Sequence, residues 1–400
     1  MKTQLPSLFL VLLAACNSQT RSPAADPAPA SNARQRALEA GLGWLARHQA
    51  ADGCWRASAV DPACTAAFDH GQPKSAWIDH YDSGSTALGI LAFVRAGVTR
   101  NSGGEQAAAV GRALDWLRAQ QNAQGFFSRD QSFLYNEALA TLALVEHYAA
   151  TKDASELAPA QRAVDFLVHA QRPSPSGEGL WGWRYSSRME IEQKFAGHAP
   201  DDLQKRELFD SDVSVTGWAA AALASAQRAG LAVDPAAPRG AAEFVRWCRG
   251  RDGLVGYNDP KNAGLTVQGR NDHFVYHPTC MSAVALRMTL EFDAAPEDAF
   301  VLPAAKRIAL DAPAVSADGL SIDYYYWFHG TLALARYDAA RGPHYFQAWR
   351  RALDESLLGL QAHERHPCGT GGWLVPDRWS YAAGPVYTTA LALLALEQQG

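Results

Sequence analysis

The sequence predicts an all-α protein, an (α/α)6 toroid in which inner and outer helices alternate around a ring. Three observations carry this. A helix-and-turn pattern recurs along the 400 residues. Between its copies lies a second set of helices, richer in alanine and apolar nearly all round, as expected of helices enclosed on every side. The two sets alternate to give six pairs, and six pairs that close on themselves leave no exposed repeat end. An open solenoid would need polar outer faces on its first and last inner helices, which this sequence does not provide.

In chain order, Lys2 and the apolar stretch Leu8 to Ala15 come first, too short to span a bilayer and patterned as a secretion signal. The stretch ends in Leu13-Ala14-Ala15-Cys16, which resembles the lipobox of bacterial lipoproteins. That resemblance implies that residues 1–16 are a signal peptide and that Cys16 is lipidated, tethering the chain to a membrane of the cell envelope. Asn17 stands where an aspartate would hold a lipoprotein at the inner membrane, so the implied location is the outer membrane, facing the periplasm. Residues 17–35 are rich in Pro, Ala and Ser and cannot bury enough surface to order themselves, so a disordered linker is expected. No second linker follows, and residues 36–400 are expected to form one domain.

The outer helices show the repeat best. They carry Gly41-Leu42-Gly43-Trp44-Leu45, Ala113-Leu114-Asp115-Trp116-Leu117, Ala163-Val164-Asp165-Phe166-Leu167 and Ala241-Ala242-Glu243-Phe244-Val245. A glutamine follows the aromatic in the first three (Gln49, Gln121, Gln171), and Arg249 takes that place in the fourth. A glycine turn and an aromatic come next: Gly53 and Trp55, Gly125 and Phe127, Gly182-Trp183, and Gly372-Trp373 after Gln361. Glycine past a helix end supplies the left-handed cap, and the aromatic covers the last turn. Further outer helices are expected near Ala299 to Leu310 and His344 to Gln361. The expected inner helices run from Ser85 to Ala96, Asn136 to Ala149, Val213 to Ala229, Cys280 to Phe292, Tyr325 to Tyr337 and Val386 to Gln398.

The turn signature Gln49/Trp55, Gln121/Phe127, Gln171/Trp183 and Gln361/Trp373 resembles the QW motifs of squalene cyclases and the related repeats of protein prenyltransferase β subunits. The resemblance covers the chain from about Arg36 onward and implies a terpenoid cyclase/prenyltransferase toroid. It also implies that each glutamine ties an outer helix to its neighbour. These residues build the barrel and say little about chemistry.

Composition narrows the rest. Net charge is −5 with interspersed signs, and no Lys/Arg cluster interleaves with aromatics, which excludes a nucleic-acid surface. Twelve Trp, thirteen Tyr and fifteen Phe are enough to line a ligand cavity as well as fill a core. Besides Cys16 there are Cys54, Cys64, Cys248, Cys280 and Cys368; Cys54 and Cys64, in one loop, are the pair expected to form a disulfide in an oxidising compartment.

In such a toroid the inner-helix N-termini gather at one mouth, where unpaired N–H groups and helix dipoles suit polar ligand ends. The sequence brings Tyr81, Asp82, Tyr135, Glu137, Asp210, Asp212, Trp218, His277, Cys280, Asp323, Tyr324, Tyr326 and Tyr387 there. Several chemistries are open. A protonating terpenoid cyclase would use Asp212 as donor, since Asp210-Ser211-Asp212-Val213 resembles the first three positions of the family's DxDD motif, with valine in place of the last acid. A prenyltransferase-like zinc site would draw on Cys280, His277 and His329, of the right ligand types at the wrong spacing. A glycan-cleaving enzyme would pair carboxylates among Asp82, Glu137, Asp210, Asp212 and Asp323. Thioester chemistry is dismissed, because no Gly-Cys-Gly-Glu-Gln occurs. The remaining reading is binding without proven catalysis, of an isoprenoid, lipid or glycan stacked on the aromatic mouth. It asks least, because each catalytic reading lacks a residue or partner that its chemistry needs.

Overall fold

The computed structural model describes residues 27–57, 78–127, 133–197, 202–264, 277–292, 297–365 and 369–398. The leader, Cys16, Cys64 and Cys368 lie outside the described residues. Fourteen α-helices are described, and the architecture is the expected all-helical toroid.

The outer helices are α1 (Pro27–Arg47), α3 (Gly104–Gln120), α5 (Ala154–Ala170), α9 (Ala236–Trp247), α11 (Asp298–Leu310) and α13 (Phe346–Leu360). The inner ones are α2 (Asp82–Arg95), α4 (Leu134–Thr151), α8 (Val213–Ala229), α10 (Cys280–Phe292), α12 (Tyr324–Arg341) and α14 (Ser380–Glu397). Each inner helix packs on the next, and α14 packs back on α2, so the inner ring is closed. Two short helices, α6 (Arg188–Lys194) and α7 (Asp202–Phe209), form an insertion between α5 and α8 that the repeat pattern did not foretell.

Local chemistry fixes these boundaries. Asp212 caps α8 by accepting from the Val215 N–H at 2.8 Å, Asp323 caps α12 through Tyr326 N–H at 2.8 Å, and Asp153 caps α5 through Ser155 N–H at 2.9 Å. Gly230 ends α8 in the left-handed region at φ 86°. Helix α1 opens at Pro27, inside the segment read as linker, and Arg34 is tied to Asp354 of α13. That ion pair belongs to the seam where the last pair meets the first.

The recurring turn is the ring's fastener. Gln49 donates to Gly53 O in its own turn at 2.9 Å and to Ala109 O on α3 at 2.8 Å. Gln121 reaches Pro159 O on α5, Gln171 reaches Ala237 O on α9, each at 2.9 Å, and Gln361 reaches Ala37 O on α1 at 2.8 Å, across the seam. The indole N–H groups of Trp55, Trp183 and Trp373 turn back to Leu45, Leu167 and Leu357 carbonyls, all at 2.8 Å. Their backbone N–H groups meet Thr86, Thr216 and Thr389 on the inner helices, all at 3.0 Å. A turn therefore stitches two outer helices and one inner helix through its glutamine amide, its indole and its backbone N–H. Glycine is required where it presses on the neighbouring helix: a Cβ at Gly125 would lie 2.3 Å from Arg162 O, with φ at 101°.

Trp44, Trp55, Trp183, Trp327, Trp349 and Trp373 are fully buried, so much of the aromatic surplus is wall. Among the described residues no helix is long and apolar enough to cross a membrane. Cys54 is buried and is a free thiol among the described residues, with Cys64, its expected partner, outside them; it accepts from Thr86 Oγ1 at 3.4 Å, and burial pushes its pKa up to about 12.

Candidate functional site

The mouth forms where the inner helices begin, and its side chains fall into three groups. The first surrounds Asp212. Arg184 donates from Nη1 to Asp212 at 2.9 Å and from Nε to Asp210 at 3.0 Å, so one guanidinium bridges both acids. Asp212 also accepts from Ser214 Oγ at 2.9 Å and from its capped N–H. Burial pulls its carboxyl above the usual range, while Arg184 and these donors oppose that shift. Arg184 lies over the rings of Tyr185 and Tyr257, 4.5 and 5.2 Å from their centroids. Tyr185 stacks against Phe133 and Tyr135, Tyr81 meets Phe133 edge-on, and the Tyr135 hydroxyl bonds Ser214. The result is a half-exposed aromatic rim.

The second group surrounds Asp323. Its carboxylate caps α12 and meets His277 Nδ1 at 3.1 Å. Burial disfavours the imidazolium, but the hydrogen bond and charge of Asp323, with Asp311, raise the His277 pKa. His277 also stacks on Tyr326 at 4.5 Å. Nearby is Asp377, which receives the N–H groups of Tyr324, Trp379 and Ser380 at 3.0, 3.0 and 2.9 Å. Burial, and then the charge of Asp323, push Asp377 up to about 7.

The third group lies deeper inside the ring. Trp218 stacks on Phe328 at 5.4 Å, and His329 meets Trp218, Phe328 and Tyr325 edge-on at 5.1, 5.0 and 4.4 Å. His329 is fully buried, neither ring nitrogen has a hydrogen-bond partner, and burial followed by the charge of Arg287 holds its pKa well below the usual value. The buried hydroxyl of Tyr387 likewise has no partner.

The structure thus sorts the residues that the sequence proposed. Asp210, Asp212, Tyr135 and Tyr81 share the rim, His277 and Asp323 share the second group, and Trp218, His329 and Tyr387 face the interior. Others belong to the wall. Asp82 accepts from Ala57 N–H and Arg56, both at 2.9 Å, and Glu137 accepts from Phe127 N–H at 2.9 Å, in the place where other repeats use threonine. Tyr324 and Tyr326 give their hydroxyls to the carbonyls of Val375 and Asp311 at 3.0 and 2.9 Å. His277, Cys280 and His329 do not converge: His277 turns to Asp323, His329 sits in the aromatic box, and burial drives the Cys280 thiol pKa well up. Among the described residues no three His, Cys, Asp or Glu side chains are grouped to hold a metal.

Arg184, Tyr185, Tyr257, Asp377 and Phe328 were missed. A signal for Arg184 was present: arginine directly follows the turn tryptophan twice, as Trp55-Arg56 and Trp183-Arg184, and each time pairs with the acid opening the next inner helix, Asp82 and Asp212. Asp377 has no such marker, since its partners are backbone groups.

The geometry defines a closed helical toroid with a buried aromatic interior and a polar, aromatic rim at the inner-helix N-termini. No family model and no curated protein matches the chain. Solved structures do match its fold. One is the type II terpene cyclase MstE from Scytonema in complex with the product merosterolic acid A, at 14% identity and TM-score 0.56, covering 92% of this chain and 97% of that one. Another is an α-1,6-mannanase of Salegentibacter in complex with α-1,6-mannotriose, at 10% identity and TM-score 0.54, covering 92% and 100%. A protein from Actinoplanes is similar at 15% identity and TM-score 0.52, covering 91% and 98%. The same fold therefore occurs in a terpene cyclase and in a mannanase, so it does not by itself specify a chemistry.

Proposed function

We propose that this chain is a cell-envelope lipoprotein, tethered through Cys16, whose barrel takes up an amphipathic ligand with an apolar, isoprenoid-like body. The observation that carries the ligand reading is the buried box of Trp218, Tyr325, Phe328 and His329 on the inner face of the ring. Apolar and aromatic walls suit an isoprenoid chain, and the few polar groups, Tyr387 and His329, suit an oriented ligand better than a sugar rich in hydroxyls. The carboxylate pair that a glycosidase needs is here neutralised, because Arg184 bridges Asp210 and Asp212.

Native mass spectrometry of the protein extracted from membranes tests this, followed by uptake of geranylgeraniol by the delipidated protein. The expected result is a retained apolar ligand and uptake that Trp218→Ala weakens. Binding of manno-oligosaccharides without uptake of any prenol would overturn it. Palmitate labelling that persists in Cys16→Ser would overturn the tether.

One observation favours a second reading, acid catalysis on the same ligand. Asp377 is poised near neutrality beside Asp323, and both act electrostatically on Tyr387. Asp212 is less suited to give a proton, since its acceptor positions are taken by Arg184, Ser214 and the α8 cap. Incubation with oligoprenyl substrates and product analysis decides: product lost in Asp377→Asn supports this reading, and no product from the wild type removes it.

A further inference from the structure

The far end of the inner ring, where these helices finish, carries a charge network apart from the mouth. Its carboxylates are matched. Glu146 of α4 receives Arg95 of α2 at 2.8 Å and Ser225 of α8 at 2.9 Å. Glu291 of α10 is shared by Arg228 of α8 and by Arg336 of α12 at 3.5 Å, and although burial works against its charge, Arg336 and its neighbours keep its pKa low. Glu397, at the end of α14, is raised well above the carboxylate range by burial against the pull of Arg95.

Arg287 is a further cation acting on Glu291, beyond the two that pair with it. It lies midway along α10, fully enclosed, and donates Nη2 to Gly217 O at 2.6 Å. Its Nε–H has no partner. The carboxylate acting on it is Glu291, one turn further along α10, which Arg228 and Arg336 already share. Burial lowers the Arg287 pKa to about 10, which leaves it charged at neutral pH. Its electrostatic neighbours are Glu291 on its own helix, Arg336 and Tyr325 on the adjoining α12, and Arg95 on α2, across the ring. The neighbouring His329, with two unpartnered nitrogens, is also under its influence. A buried guanidinium with an unpartnered N–H, beside a carboxylate already shared by two other arginines, suits an oxyanion, since planar N–H pairs match carboxylate and phosphate oxygens. A neutral imidazole beside it supplies one further donor.

Resting on the ligand reading above, we infer that the ligand carries a terminal oxyanion, carboxylate or phosphate, bound by Arg287 with His329 at the inner end of the barrel. The apolar body then lies across Trp218 and Phe328, and the end nearer the mouth meets Tyr387.

The test compares hexadecanoate, hexadecyl phosphate and hexadecanol in equilibrium binding to the delipidated full-length protein. The chains are equal, so the comparison isolates the head group. At least one oxyanion is expected to bind about tenfold tighter than the alcohol, as charge-assisted pairing with a buried arginine requires. Preference between the two oxyanions identifies the head group. Arg287→Gln should erase the advantage while leaving hexadecanol binding in place, and Arg287→Lys should restore part of it. Equal binding of all three by the wild type overturns the inference and leaves the ligand reading standing. Binding of none overturns both, and neither outcome depends on a variant folding.

Discussion

The wall and the interior of this ring treat polar atoms in opposite ways. In the wall, Trp373 spends its indole N–H on Leu357 and its backbone N–H on Thr389, while Gln361 fastens its own turn to α1. In the interior, Tyr387, His329 and the Arg287 Nε–H are enclosed and left without partners. An unmade buried hydrogen bond weakens the folded state, so its persistence marks residues kept for something other than stability. The wall specifies the fold, and under the proposed function the interior specifies the ligand.

Substitutions can break this contrast, and the largest effect is expected in the wall. Trp373→Ala empties a fully buried site and should cost ~3–5 kcal/mol in urea unfolding. Gln361→Ala deprives two carbonyls of their donor and should cost about 1–3 kcal/mol, with Gln121→Ala similar if seam and interior repeats are equivalent. A smaller effect is expected from pH. The folded pKa of His277 is raised, so its contribution is complete below the unfolded value of about 6.5 and fades as pH rises through the folded value. Stability of the wild type should therefore decline on that alkaline side more than that of His277→Gln. Least of all, Tyr387→Phe should shift stability by under about 1 kcal/mol, since it removes an unpaired hydroxyl, while weakening ligand uptake. A large loss of stability in Tyr387→Phe would erase the distinction.

The same contrast explains what could be read in advance. The wall repeats, and repetition exposes itself: Gln49, Gln121 and Gln171 each stand five residues past a helix aromatic, and with Gln361 each does the same job at a new place. Inner-helix starts were legible because Asp212 and Asp323 are ordinary caps. The site was legible only in part. Tyr324, Tyr325 and Tyr326 are consecutive on one helix, so they point three ways. The first and third give their hydroxyls to wall carbonyls, while Tyr325 joins the aromatic box. Without the helix's rotation all three read alike. Asp377 and Arg287 were hidden for another reason, since the significance of each depends on what surrounds it: backbone N–H groups for one, an unpartnered N–H beside an already shared carboxylate for the other.

The seam has a kinetic consequence. Fasteners such as Gln49 to Ala109 join segments close along the chain, but Arg34 meets Asp354, and Gln361 meets Ala37, only after nearly the whole polypeptide has been ordered. Loop-closure entropy grows with the intervening length, so docking of α1 against α13 and α14 should come last in folding. Amide exchange there should be the fastest among the packed helices, and the ring would open first at its own clasp.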